Sequence, residues 1–221
     1  MSKKLEQKQQ RREAEERRKR EAKRAQQKKN LITLGVAAVV IALVAALVIS
    51  DRRAAEGPVG VAADEAGCND KQDVEAVGAE HIDEGAQHAP YNSTPPTNGP
   101  HYATPSNVGF FTSPIEPERA VHNLEHGTIV IWFDPAAPQS VKDDIEALVD
   151  KEPASTLATP YDGLDKNFYL SAWNKLPSEG EDSAGTGYYL GCDAVAQEVV
   201  DDFRRDHQGK GPERIIEPFR G

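Results

Sequence analysis

The chain has 221 residues, 28% of them charged, and a formal net charge of −10. Residues 1–30 hold thirteen Lys/Arg against five Asp/Glu, a net of +8, so residues 31–221 carry −18. An acidic body of that size repels polyanions and excludes nucleic acid as its partner.

The basic tail, residues 1–30, contains no aromatic residue and is filled with good helix formers, which predicts a charged, partly formed helix. Residues 31–50 follow without a single Asp, Glu, Lys or Arg. At about 1.5 Å per residue this run reaches across the roughly 30 Å hydrocarbon layer of a bilayer. It has no polar stripe, so a soluble amphipathic helix is a poor alternative. A cleaved signal peptide fits badly as well: the charged region before the run is too long, and no small-x-small cleavage site precedes Asp51. Basic flanks remain on the cytoplasmic side, so the expected topology is single-pass, N-terminus inside, with the remainder extracytoplasmic. The tail sets that topology and adds attraction to anionic headgroups.

Residues 51–66 read as a linker, with Gly57-Pro58 and scattered acids, and residues 67–221 as one extracytoplasmic domain. About 170 residues beyond the apolar run suffice for a single core. The domain holds both cysteines, Cys68 and Cys192. On the oxidising side of a membrane they are expected to pair, tying the start of the domain to the last helix. Without a C-x-x-C motif a redox role is disfavoured. Residues 91–102 are so rich in Pro, Asn, Ser, Thr and Gly that they cannot form a regular element, yet their tyrosines and histidine mark an ordered loop. A short helix is predicted over 116–126, with Pro117 in its first turn and Gly127 just past its end. Residues 128–133 are the clearest strand. A helix over 138–151 presents Val141, Ile145, Leu148 and Val149 on one face. Strands over 155–159 and 167–173 and a final helix over 193–207 complete an α+β fold, a small sheet with helices against one face.

All six histidines lie in this domain, five of them between His81 and His126. On a helix, His122 and His126 share a face and can present two imidazoles to one ion. His101, from the Pro-rich loop, is the natural third ligand. Glu125, His81 and His88 are alternative ligands or groups that orient the histidines. Each has a plainer reading: His101 as a pin for its loop, Glu125 as a solvated helix residue. His207 has no functional role in either reading. Imidazole donors suit copper(II) or zinc. A thioether copper(I) site is excluded because Met1 is the sole methionine. A blue-copper site is disfavoured because its thiolate would have to leave the disulfide.

The segments Pro95-Pro96-Thr97-Asn98-Gly99-Pro100-His101-Tyr102 and Val121-His122-Asn123-Leu124-Glu125-His126-Gly127 carry a resemblance. They look like the PPT-S-GPHY and HNLEHG signatures of a family of bacterial membrane-anchored proteins classified as a domain of unknown function. Asn98 stands where the family pattern has serine. The resemblance runs from about His81 to Phe219 and implies a recurring module without implying an activity. Two functions compete. The first is a non-catalytic metal-binding or assembly module, held near a larger membrane complex. The second is a zinc hydrolase, because His122 to His126 match H-x-x-E-H, with Glu125 as the base that activates water. A metal-free domain that uses the same side chains to bind a partner is the third possibility.

Overall fold

The computed structural model describes residues 57–180 and 182–213, together with Lys19 and Lys23, both helical. The apolar run 31–50 lies outside these residues, and among the described ones no helix is long and apolar enough to cross a membrane. The compact unit that carries the histidines begins at Pro58.

Eight strands and three α-helices are described in it: β1 Gln72–Glu75, β2 His81–Ile82, β3 His101–Tyr102, β4 Gly109–Phe110, α1 Pro117–Glu125, β5 Ile129–Phe133, α2 Gln139–Lys151, β6 Thr156–Pro160, β7 Phe168–Asn174, β8 Thr186–Cys192 and α3 Gln197–His207. Six strands make one mixed sheet in the order β1-β8-β7-β5-β6-β4. The β1, β8, β7 and β5 neighbours run antiparallel, whereas β5, β6 and β4 run parallel. A parallel neighbour needs a crossover, and α2 supplies it between β5 and β6. The α+β class is as expected. The helix and strand positions predicted from 116 onward are found with no end moved by more than four residues, while β1, β2, β3, β4 and β8 were not anticipated, β3 lying at the end of the segment 91–102 read as irregular.

The expectation of helices on one face is corrected. Ile129, Ile131 and Phe133 of β5 pack with Val141, Ile145, Leu148 and Val149 of α2 and with Val200 and Phe203 of α3. Val130 and Trp132, alternating with them, pack with Ala120, Val121 and Leu124 of α1 and with Trp173 of β7. Helices therefore cover both faces. The reason lies in β5 itself: an unbroken apolar run, unlike an alternating one, leaves two faces to be buried. All residues of β5, β6 and β7 are buried.

Cys68 and Cys192 are disulfide-bonded across a separation of 124 residues. Cys192 ends β8 and is not part of the last helix, which starts four residues later than expected. The segment before that helix is occupied otherwise: Asp193 and Ala194 donate their N–H groups to the Ala66 carbonyl, and Ala196 bridges Gly60. Val61 N–H donates to the Val195 carbonyl, and Ala66 is fully buried. Residues 58–66, read above as the end of a linker, thus pack with this unit.

Candidate metal centre

Two elements bring the histidines together. The first is the parallel pair β2–β3, in which His81 and His101 are direct register partners. Their rings meet edge to face with centroids 4.8 Å apart. His101 follows a loop with a buried polar interior. Asn98 accepts from Val77 N–H at 3.0 Å and donates to Thr97 Oγ1 at 2.9 Å. The Tyr91 hydroxyl donates to the Pro100 carbonyl at 2.9 Å. Trp173, from β7, meets the His101 ring edge-on from the sheet side, at 5.8 Å.

The second element is α1. Pro117 sits in its first turn, where a missing N–H costs nothing. Nearly every side chain at its C-terminal end has a defined partner. The His122 Nδ1–H donates to the Tyr102 carbonyl at 2.6 Å. Asn123 donates to the Ser106 carbonyl at 2.9 Å and accepts from Ser106 N–H at 3.0 Å. Leu124 enters the core, and Glu125 and His126 face His122. Gly127, with φ of +84°, turns the chain from the helix into β5, a conformation that L side chains rarely adopt.

The donor atoms converge. The His101 Nδ1–H donates to the Gly99 carbonyl at 2.8 Å, so its Nε2 faces Glu125 Oε2 at 2.9 Å. His81 Nε2 lies 3.5 Å from the same oxygen. His122 Nε2 lies 3.0 Å from His126 Nε2, which lies 3.1 Å from Glu213 Oε2. The His101 and His122 ring centroids are 5.0 Å apart. Among the described residues, two overlapping groups have every donor atom within 4.8 Å of the others: His81, His101, His122 and Glu125; and His122, Glu125, His126 and Glu213.

Burial shapes the charge here. It drives the His122 pKa down to about 4, and the neighbouring His126 and His101 push the same way against the Tyr102 carbonyl. For Glu125 burial alone would raise the pKa. The hydrogen bond from His101, with the charges of His101, His122 and His81, outweighs it and leaves the carboxyl below its ordinary value. A neutral imidazole beside an ionised carboxylate is the donor set of a zinc or copper(II) site. The Tyr102 carbonyl holds His122 in the tautomer that leaves its Nε2 lone pair free, and the Gly99 carbonyl turns His101 Nε2 toward Glu125, where a bound ion would replace the shared proton.

His101, His122, His126, Glu125 and His81 are thus gathered in one place. His88 is not: its ring packs on Tyr91, and its nitrogens meet the Ala89 carbonyl at 2.7 Å and Glu118 at 3.1 Å. His207 stands elsewhere, with Asn174 at 3.0 Å and the Tyr188 ring at 4.3 Å. Sequence reasoning missed Glu213. It arrives on a C-terminal segment laced along the end of α1, where Gly209 N–H donates to the Gly127 carbonyl and Glu213 N–H to the Glu125 carbonyl. Gly211 lets that segment pass close: a Cβ there would fall 2.1 Å from the Glu125 carbonyl oxygen.

The family model described as "Protein of unknown function (DUF3105)" matches residues 81–218, and the chain belongs to that family. No curated protein and no solved structure matches the chain. The matched region opens at His81 and includes every residue of the cluster.

Proposed function

We propose that the protein is a membrane-anchored, extracytoplasmic metal-binding module. It takes zinc or copper(II) through its histidine–glutamate cluster and acts in carriage or assembly beside a larger membrane complex rather than in catalysis. One observation carries the reading. His101 and His122, on separate elements, each commit Nδ1 to a backbone carbonyl and turn Nε2 toward Glu125 and its neighbours. Such preset tautomers are how proteins hold imidazole ligands. The uncharged run 31–50 behind a +8 tail supports the anchor. The disulfide supports an oxidising compartment.

The test is metal analysis of the full-length chain, solubilised in detergent, stripped with chelator and titrated with zinc or copper(II). A saturable uptake is expected that also raises the unfolding midpoint, because an ion bound only by the folded state stabilises it by mass action. Replacing His101 and His122 together with Asn should abolish both effects. One second reading has an observation of its own. The contact of 2.9 Å between His101 and Glu125 is also what a metal-free ion pair would show. In that case neither metal affects the unfolding midpoint.

A further inference from the structure

The geometry points to two ions rather than one: His81, His101 and Glu125 hold the first, and His122, His126 and Glu213 the second, with the Glu125 carboxylate between them. This rests on the metal-binding reading above.

A histidine that donates Nδ1–H to a carbonyl keeps one lone pair, on Nε2, and serves one ion. His122 is in that state through Tyr102, although it belongs to both groups of donors. Its Nε2 contact with His126 assigns it. Around a tetrahedral zinc with ligands at about 2.1 Å, donor atoms lie about 3.4 Å apart. His122 Nε2 to His126 Nε2 is 3.0 Å, and His126 Nε2 to Glu213 Oε2 is 3.1 Å, so these three form one coordination set. On the other side His101 Nε2 and His81 Nε2 lie 2.9 and 3.5 Å from Glu125 Oε2, which makes a second set of the same spacing. Two residues are common to both groups, and of these only Glu125 has two ligating oxygens. A single tetrahedral ion takes four donors, whereas six residues present them here.

The two positions differ in character. The second set has three donors of its own plus Glu125, a full tetrahedron, as in structural zinc sites. The first has three in all, and the His81 side chain is 42% exposed. It leaves a place for water or a small anionic ligand from solvent.

Zinc stoichiometry of the full-length chain tests this. The stripped protein is equilibrated with zinc, freed of excess, and its metal-to-protein ratio measured by mass spectrometry beside tryptophan fluorescence as a check of folding. Two zinc ions per chain are expected. Glu213→Gln and His81→Ala change side chains that are 40% and 42% exposed, so the fold should persist. Each should lower the ratio to one, and the double variant to none. One ion per chain in the unaltered protein overturns the proposal and leaves the single-ion reading standing. So does a ratio of two that neither substitution changes. No zinc at all overturns the two-ion proposal and, if copper(II) uptake is absent as well, the metal-binding reading with it.

Discussion

Glu125 is 3% exposed, and one of its oxygens contacts the imidazoles of both His101 and His81. In an H-x-x-E-H peptidase the glutamate must stand clear of the metal ligands to take a proton from water. Here it lies among them. Glu125→Gln is therefore expected to weaken zinc affinity about 10–100-fold, the usual effect of losing a group that ligates or orients a ligand. Calorimetric titration reads this directly. A variant that keeps its zinc but loses a peptidase activity present in the wild type would reverse the assignment. A second residue gives a pH signature away from the site. Burial pushes His207 down from 6.5 to about 4, with the Lys71 ammonium 3.4 Å from its Nε2 and Lys210 adding to the effect against Asp206. The unfolded chain then binds the proton more readily than the folded one. Stability is complete above pH 6.5 and falls as pH drops through about 4. His122 contributes in the same direction in the metal-free chain. Urea midpoints between pH 4 and 8 should show this slope, and His207→Gln should flatten it in part.

At the level of elements, the helix–glycine–strand unit from Pro117 to Phe133 was legible because each part has a local cause: proline at the start, glycine at the end, a β-branched run beyond. The histidine spacing on that helix was legible for the same reason. What the sequence did not disclose depends on contacts between distant segments. β1 has just one residue that is not exposed, Val74, and exists because β8 lies beside it. β2 and β3 are two residues each, too short for any period, yet they place His81 against His101. Glu213 lies beyond the last helix, where local pattern carries no message about α1. The strap that holds it can be tested. A Cβ at Gly211 would stand 2.1 Å from the Glu125 carbonyl and 2.4 Å from Gly127 N. Gly211→Ala should lift the strap, lower zinc affinity at least several-fold and leave the far-ultraviolet circular dichroism of the sheet unchanged. Equal affinity in the variant would show that the strap does not matter to the site.

For the molecule as a whole, the disulfide closes a span of 124 residues from the segment before β1 to the end of β8. The chain-entropy model gives a link of that length about 4–5 kcal/mol. Free-thiol titration of the denatured, unreduced chain should find none. Replacing Cys68 and Cys192 together with Ala should cost about 2–5 kcal/mol in urea unfolding. A loss well under 1 kcal/mol would mean that the covalent tie is incidental.

The cluster draws on His81 at one end of the family match and Glu213 near the other, with α1 between. Bound metal would therefore work as a clasp on the chain, joining its early and late parts much as the disulfide does on another circuit. Two fasteners with overlapping spans make opening of the strap cooperative with release of the ion. Digestion by a protease should then be slow in the zinc-loaded protein. In the stripped protein cleavage within residues 58–213 should start beyond His207, at the strap, well before the sheet is cut.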